Sequence, residues 1–327
     1  MLQLYGGAVT LIADIPEDEL IAAIAAELPQ GDAIVPTGDD AAVLPLSTSR
    51  VVVSTDVLVE GRHFRREWST GADVGWRGIM QNAADIAAMG AHPVSFVASL
   101  VLPGATSAEW AIDVARGMAG ACRWLTLETG VPCGVVGGDI SGGSEISMAV
   151  TALGDIRATP ILRSGAHPGD VVVHAGTLGR SAAGLALLDA GREVREGAAG
   201  RCIETYLRPV PPVGVALAGK LHSLMDVSDG LLRDAGRMAR KSGVVFDLID
   251  PEELVDDDVR ELAELLGADA RKWVAGGGED HGFLGTCVPD AVPEGFRVIG
   301  TVTEGGPAVT IQGESPSGVT GWDHFAG

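Results

Sequence analysis

Six short segments of the chain place acidic residues among glycine and small apolar residues, at the ends of predicted strands or on predicted helices. A carboxylate is costly to hold beside an apolar strand unless a cation or hydrogen-bond donors meet it. The chain has 23 Lys and Arg against 44 Asp and Glu, and few of these cations flank the six segments. A divalent metal ion is the natural partner, since Mg²⁺ takes carboxylate oxygens as ligands. The segments are Gly38-Asp39-Asp40, Ser54-Thr55-Asp56, Asn82-Ala83-Ala84-Asp85, Gly137-Gly138-Asp139, Asp226-Val227-Ser228-Asp229 and Gly278-Glu279-Asp280.

Each segment taken alone also has an ordinary structural interpretation. Gly-Asp-Asp is most often a turn, and Ser-Thr-Asp after a strand is often a cap. Asp85 on an alanine-rich helix is compatible with a solvated face, although Asn82 and Met89 share that face with it. Six such segments in one chain favour a common site for metal ions and phosphate groups.

Composition excludes several classes of function. With 327 residues the chain is long enough for two domains. Its formal net charge of −21 would repel nucleic acid, and it disfavours an anionic membrane surface for the same reason. The sequence contains no apolar run of the roughly 20 residues that a membrane span needs. The four cysteines lie far apart and the N-terminus lacks signal-peptide features, so we expect reduced buried thiols and a cytoplasmic protein.

The familiar nucleotide-binding and hydrolase motifs are missing from the sequence. The only Gly-Lys pair, Gly219-Lys220, is followed by Leu221 inside a predicted helix, so the chain has no P-loop. It also lacks the protein-kinase motifs, Gly-x-Ser-x-Gly and His-Glu-x-x-His. A phosphate-handling function would therefore depend on the acidic segments and their metal ions.

A mixture of strands and helices must position the acidic segments. The pattern is not strictly alternating, which predicts an α/β class with mixed, α+β-like sheets. A seam rich in Arg, Pro and Gly, residues 155–169, predicts two domains, 1–155 and 156–327. The elements beside the acidic residues are a strand at Val51–Thr55 that ends at Asp56, a helix at Asp73–Met89, strands at Gly134–Gly137 and Ile146–Leu153, and a strand at Leu224–Val227.

Three further segments complete a resemblance that runs from about residue 3 to residue 325. They are Gly61-Arg62-His63-Phe64, Arg163-Ser164-Gly165-Ala166 and the closing Gly321-Trp322-Asp323-His324-Phe325. Together with the six acidic segments and in this order, they resemble the thiamine-monophosphate kinase family, within the aminoimidazole-ribonucleotide-synthetase-like ATP-binding superfamily. His281-Gly282 stands where that family more usually has Tyr-Glu after Glu-Asp.

The resemblance implies roles for individual residues. It implies several Mg²⁺ ions, ATP as co-substrate and thiamine monophosphate as acceptor. The implied metal ligands are Asp40, Ser54, Thr55, Asp56, Asp85, Asp139, Asp226 and Asp229. The implied ATP contacts are Gly138, Asp139, Arg163 and Ser228. The implied contacts to thiamine monophosphate are His63, Glu279, Asp280 and Trp322.

The implied reaction is an in-line transfer of the γ-phosphoryl group of ATP to the phosphate of thiamine monophosphate. Because a phosphate monoester has a second pKa of about 6, the acceptor is already ionised at neutral pH, and we expect no general base. The resemblance also implies a two-domain architecture. The N-terminal domain would bind ATP and Mg²⁺ and pair its sheet across a homodimer, and the C-terminal domain would close the active site.

Other functions remain open at this point. A selenophosphate-synthetase-like enzyme usually has a reactive N-terminal Cys or selenocysteine, whereas the first cysteine here is Cys122. A purine-biosynthetic enzyme of the superfamily lacks the Gly-Trp-Asp-His-Phe ending. A non-catalytic protein that binds divalent cations or nucleotides would bind metal without turning over ATP. Consumption of ATP that depends on thiamine monophosphate separates these alternatives.

Overall fold

The computed structural model describes residues 10–37, 41–192, 194–316 and 321. The chain divides into two compact units, which we call unit 1 (Met1–Ile86 with Ala91–Ala158) and unit 2 (Ala87–Gly90 with Thr159–Gly327). Each unit contains one mixed sheet with helices, which confirms the predicted fold class. None of the helices in the described ranges combines the length and the apolar character needed to cross a membrane.

Unit 1 is an α/β unit built on a four-stranded sheet. Its elements are α1 (Glu17–Ala25), β1 (Val51–Val59), α2 (Gly71–Ala88), β2 (His92–Leu102), α3 (Ala108–Thr129), β3 (Gly134–Gly142) and β4 (Ser147–Asp155). The strand order is β1-β4-β2-β3. Strand β4 is antiparallel to β1 and β2, and β3 is parallel to β2.

Strand β1 is longer than the sequence predicts. We expected it to end at Asp56, but it continues to Val59, because residues 57–59 pair with residues 147–149 of β4. Its side chains alternate between the two faces of the sheet. Leu58 is buried on the face that contacts α2, whereas Val53 and Val57 are exposed on the other face. Asp56 therefore projects from within a strand, on the helix-covered face.

Helix α2 approaches its neighbours closely because glycines stand at the points of contact. A Cβ atom at Gly75 would lie 2.0 Å from the backbone oxygen of Val114 in α3. A Cβ at Gly78 would lie 2.3 Å from the methyl carbon of Met148 in β4. The contact at Gly75 is with fixed backbone and is too short for real atoms, so only glycine allows α2 this position, whereas the flexible end of the Met148 side chain can move away from Gly78. The glycines thus fix the helix that carries Asp85.

A pair of matched substitutions tests this close packing. Gly75→Ala places a methyl group against fixed backbone, and we expect it to lower the free energy of unfolding by about 1–3 kcal/mol. Gly120→Ala in α3 is the control, because its Cβ would lie 3.7 Å from the Trp76 ring, an ordinary contact. It should be neutral or stabilise by up to about 1 kcal/mol. Chemical denaturation measures both values, and equal effects would contradict the close approach.

Unit 2 contains a six-stranded sheet of mixed direction. Its elements are β5 (Val171–Ala175), α4 (Arg180–Asp189), α5 (Gly197–Leu207), α6 (Val213–Ala218), β6 (Ser223–Val227), α7 (Leu231–Ser242), β7 (Val245–Leu248), α8 (Asp257–Leu266), α9 (Ala270–Gly276), β8 (Gly282–Cys287), β9 (Arg297–Thr303) and β10 (Ala308–Ile311). The strand order is β10-β7-β9-β5-β8-β6. Only β10 and β7 pair in parallel; the other neighbours are antiparallel.

The core of unit 2 lies between this sheet and its helices. Phe246, Leu284 and Ile299 from three strands are fully buried with Met238 of α7 and Val259 of α8. All four cysteines of the chain are free and buried, as the sequence predicts. Strand β6 ends at Val227, so the acidic segment that begins at Asp226 lies at the end of an edge strand.

Candidate active-site residues

In unit 1 the structure brings three predicted metal ligands to the helix-covered face of the sheet. The Ser54 hydroxyl donates a hydrogen bond to Oδ2 of Asp85, with an oxygen–oxygen distance of 2.7 Å. Asp56 projects from the same face of β1, two residues or about 7 Å further along the strand. The hydroxyl of Ser54 and the carboxylate of Asp56 thus project from β1 toward α2, the helix that carries Asp85.

Asn82, which we had not predicted as a ligand, lies one turn before Asp85 on α2. Its side chain is fully buried, and its Nδ2 donates to the backbone oxygen of Gly78 at 2.9 Å. Its Oδ1 accepts no hydrogen bond from any described residue. A buried carbonyl oxygen without a donor is costly unless a cation or water meets it. The spacing i, i+3 to Asp85 was the sequence signal that could have identified it.

Thr55 lies on the opposite face of the sheet from this group. Its hydroxyl donates to the backbone oxygen of Val150 at 3.1 Å, and its oxygen lies 3.1 Å from the hydroxyl of Thr151. Because neighbouring residues of a strand point to opposite faces, Thr55 projects away from Ser54 and Asp56. The structure therefore separates Thr55 from the other two members of its segment.

Asp139 and Gly138 lie on β3, at the other edge of the sheet. Three strand spacings, about 14 Å, separate β3 from β1. Asp139 pairs with Ser99, and the register continues through Ala149 to Val57. Paired residues share a face, so Asp139 lies on the face of Val57, opposite Asp56. Within unit 1 the structure does not bring Asp139 to the group around Asp85.

His63 is fixed in the turn that follows β1. Its Nδ1 accepts a hydrogen bond from the backbone N–H of Val59 at 3.0 Å, and its carbonyl oxygen accepts one from Arg77 at 2.7 Å. Because Nδ1 is the acceptor, the neutral ring carries its proton on Nε2. The half-buried ring therefore presents Nε2 as a hydrogen-bond donor.

In unit 2 a buried histidine bridges two of the predicted acidic segments. Nδ1 of His281 lies 3.1 Å from Oδ2 of Asp226, and its Nε2 lies 3.5 Å from Oε2 of Glu279. Burial alone would lower the pKa of His281, but the two carboxylates outweigh burial and raise that pKa well above its ordinary value. The two carboxylates thus favour the protonated form of His281.

Backbone strain marks the same loop. Glu279 and His281 have φ angles of 70° and 54°, in the left-handed region that favours glycine. Such conformations cost about 1–3 kcal/mol each and concentrate at functional sites. The N–H of Glu279 donates to the carbonyl oxygen of Ser228 at 2.9 Å, and a Cβ at Gly278 would lie 2.2 Å from that oxygen. The structure thus brings the Glu279 and Ser228 segments into contact.

Asp229 is paired with an arginine of α7. Its Oδ2 lies 2.5 Å from a terminal nitrogen of Arg237, and its backbone N–H donates to Oδ2 of Asp234 at 3.0 Å. Asp234 is fully buried, and burial raises its pKa despite the hydrogen bond from Asp229 and the charge of Arg237. Asp234 was missed from the sequence; it positions both Asp229 and Arg237.

Asp280 caps helix α4. Its two carboxylate oxygens accept hydrogen bonds from the Thr177 hydroxyl at 2.8 Å and from the backbone N–H groups of residues 179, 180 and 181 at 3.1, 3.1 and 3.3 Å. The residue is only 4% exposed. Burial raises the pKa of Asp280 to about 6, and the four hydrogen bonds act in the opposite direction. Both oxygens are thus committed to the start of α4, whereas the Glu279 side chain is 31% exposed.

Arg163 is exposed at the opposite end of β6 from Asp226. The preceding residue, Leu162, pairs with Ser223, the first residue of that strand. Five residues of strand span about 17 Å, so unit 2 does not bring Arg163 to Ser228. Two predicted site residues, Asp40 and Trp322, lie outside the described residues.

The chain is similar to known proteins in both sequence and structure. Residues 38–156 match the family described as AIR synthase related protein, N-terminal domain. The chain is 42% identical over 294 residues to thiamine-monophosphate kinase of Mycobacterium tuberculosis (strain CDC 1551 / Oshkosh), covering 88% of this chain and 85% of that protein. It is 40% identical over 328 residues to thiamine-monophosphate kinase of Corynebacterium glutamicum, covering 96% and 95%. The structure of AaThiL complexed with AMPPCP and TMP matches with a TM-score of 0.78 and 29% identity, covering 98% of this chain and 100% of that one.

The AIR-synthase-related match and the mixed sheet of unit 1 define the broader class of the protein. Within that class, the identity to curated relatives over most of their length is decisive. The chain belongs to the thiamine-monophosphate kinase family.

Asp85→Asn tests the group on the helix-covered face. The amide oxygen can still accept from Ser54, so we expect the fold to persist while the negative charge is lost. If Asp85 holds a metal ion beside the reacting groups, loss of its charge should lower turnover by about 100-fold or more. Steady-state kinetics measure the rate, circular dichroism checks the fold, and Ser54→Ala, which keeps the charge, should lose less. Full turnover in Asp85→Asn would contradict a role for this carboxylate.

Asp280→Ala and Glu279→Gln compare the carboxylate that caps α4 with the exposed carboxylate predicted to contact thiamine monophosphate. Asp280→Ala leaves buried donors at the start of α4 without an acceptor and should lower the free energy of unfolding by about 2 kcal/mol. Glu279→Gln should change stability by less than about 0.5 kcal/mol and raise KM for thiamine monophosphate. Denaturation and kinetics on both variants provide the comparison. The reverse pattern would overturn the distinction.

Proposed function

We propose that this protein transfers the γ-phosphoryl group of ATP to the phosphate of thiamine monophosphate, giving thiamine diphosphate and ADP. Identity of 40–42% to curated thiamine-monophosphate kinases over most of the chain carries this assignment. The similar AaThiL structure, complexed with AMPPCP and TMP, supports the same two substrates. The enzyme is thus a phosphotransferase whose acceptor is a phosphate group.

No side chain of the chain needs to act as a general base. The acceptor phosphate has a second pKa of about 6 and is ionised at neutral pH. The histidines near the predicted site have other partners: His281 lies between Asp226 and Glu279, and Nδ1 of His63 accepts from Val59. We infer that the protein acts by positioning the two phosphates and offsetting their charge.

The donor set of unit 1 fits a magnesium ion. The hydroxyl of Ser54, the carboxylates of Asp56 and Asp85 and the buried amide oxygen of Asn82 are all hard oxygen donors, the type that Mg²⁺ takes. When bound, Mg²⁺ would supply positive charge that offsets the negative charge of the transferring phosphoryl group. Asp40, Asp226 and Asp229 are further proposed ligands of Mg²⁺, whereas Thr55 and Asp139, on the opposite face of the sheet, would have to bind a separate ion.

We propose roles for further residues of each unit. Gly138 and Asp139 of unit 1 and Ser228 and Arg163 of unit 2 are proposed contacts to ATP. His63 and Glu279 contact thiamine monophosphate, with Glu279 offsetting the charge of the thiazolium ring. Asp280 fixes the position of the neighbouring Glu279 through its hydrogen bonds to the start of α4. Stacking of thiamine on Trp322 stays a prediction.

Product analysis tests the assignment directly. Purified protein with ATP and Mg²⁺ should convert thiamine monophosphate to thiamine diphosphate with one ADP formed per product. Free thiamine, which lacks the acceptor phosphate, is the control and should give neither product nor ADP. ATP consumption that is indifferent to thiamine monophosphate would reject the kinase assignment, and metal binding without any turnover would favour the non-catalytic alternative.

We also propose a homodimer that pairs the sheets of two unit 1 copies. The face of β1 that points away from α2 carries Val51, Val53 and Val57, which are 42%, 59% and 50% exposed. Val97 of β2 is 36% exposed on the same face. A row of exposed valines on one sheet face is typical of an interaction surface. A second copy of the chain fits it, because such a face is self-complementary in a two-fold dimer.

Val53→Asp tests the dimer. A carboxylate at the centre of an apolar interface should shift the protein from dimer to monomer in light scattering coupled to gel filtration. Leu127→Asp is the control, because Leu127 is 85% exposed on α3 of the same unit, and that variant should remain dimeric. A monomeric wild-type protein at micromolar concentration would contradict the proposal.

A further inference from the structure

A second cluster of metal-ligating side chains lies in unit 2, where β5 and β6 begin. His167 and Asp170 precede β5, and His222 precedes β6. Nδ1 of His222 lies 2.9 Å from Oδ2 of Asp170, and Nδ1 of His167 lies 4.0 Å from the same oxygen. One ligand atom from each residue lies within 4.8 Å of the other two. None of the three belongs to the residues assigned above to ATP, Mg²⁺ or thiamine monophosphate.

The fold brings these residues together through the sheet. Strands β5 and β6 are both antiparallel to β8, which lies between them. They therefore run in the same direction, and their first residues lie at the same end of the strands. The N–H of His222 donates to the carbonyl oxygen of Thr286 at 2.7 Å, and the carbonyl oxygen of Asp170 accepts from Val302 at 2.8 Å. The backbone beside two of the three ligands is thus fixed before any ion binds.

The three side chains of the cluster differ in solvent exposure. Asp170 is 4% exposed, and its Oδ2 also accepts from the backbone N–H of His167 at 3.0 Å. The side chains of His167 and His222 are 71% and 40% exposed. A fixed carboxylate therefore lies beneath two imidazoles that solvent reaches. An ion could enter between the rings, whose planes are nearly perpendicular with centroids 5.3 Å apart.

We propose that His167, Asp170 and His222 form a binding site for a zinc-type divalent cation. Two imidazole nitrogens and one carboxylate oxygen form a typical ligand set for Zn²⁺. Mg²⁺ and Ca²⁺ instead prefer sites made of oxygen ligands alone. Bonds of about 2.0–2.1 Å at tetrahedral angles place ligand atoms about 3.4 Å apart. The observed separations of 2.9 and 4.0 Å lie on either side of that value. Small rotations of the exposed rings bring them to it.

Nδ1 of His222, which lies 2.9 Å from Oδ2 of Asp170, can act as a ligand when the ring proton is on Nε2. A bound ion would link two segments that lie 52 residues apart in the sequence. It would thereby fasten the loop before β5 to the start of β6. The consequence is a unit 2 that is more stable with the cation than without it.

Metal titration of the chelator-treated protein tests the site. Zn²⁺, added in the presence of excess Mg²⁺, should bind at one ion per chain in calorimetry and raise the melting temperature. Co²⁺ bound in its place should give a visible absorption band. His222→Gln and His167→Gln should each weaken binding by at least about tenfold. His222→Gln keeps a hydrogen-bond donor for Asp170, so the fold should persist.

Asp226→Asn is the matched control. It alters the contact between Asp226 and His281, which lies outside the proposed zinc site, and leaves that site intact. This variant should bind Zn²⁺ as the wild type does. The proposal is overturned if the wild-type protein binds no Zn²⁺ at micromolar concentration. It is also overturned if the His167 and His222 variants bind as tightly as wild type, or if Asp226→Asn alone loses binding.

Discussion

Repulsion between negative charges is the constraint on which the account of this protein depends. Two like charges about 4 Å apart repel by about 4 kcal/mol at an effective dielectric constant of 20. The chain carries a formal net charge of −21, and both proposed substrates are anionic phosphates. Cations held between two phosphates offset this repulsion. We propose that the acidic segments hold such cations and in this way allow an acidic chain to bind acidic substrates.

The carboxylates of the two units have different partners. In unit 2 the charges are balanced within the protein, since Asp229 pairs with Arg237 and Asp226 with His281. In unit 1 Asp85 accepts from the neutral hydroxyl of Ser54 and lies one turn from the buried amide oxygen of Asn82. Oxygen donors of this kind favour a metal ion at that position. The close approach of α2, which its glycines allow, determines where those donors stand.

The sequence predicted the fold class, most strands and the long helices of unit 1, because their apolar periodicity is strong. It placed the end of β1 at Asp56 wrongly, since a polar residue within a strand resembles a strand end when the partner strand is unknown. Helix α5 was not predicted, because glycine and alanine at its start give little periodic signal. The acidic segments were evident, but the distinction between Asp280 as a helix cap and Glu279 as an exposed side chain requires coordinates. So does the placement of Asp139 on the opposite sheet face from Asp56, which depends on strand register, whereas alternation along β1 alone puts Thr55 on that opposite face.

The rate of thiamine diphosphate formation as a function of free Mg²⁺ tests the central claim most directly. ATP and thiamine monophosphate are held constant, with the total Mg²⁺ varied from a chelated zero through the amount that saturates ATP. If the carboxylates hold their own cations, the rate is zero in chelator and continues to rise after all ATP is complexed. Asp85→Asn should shift that second rise to higher Mg²⁺. A full rate in chelator, or a rate that stops rising once ATP alone is complexed, would contradict the account.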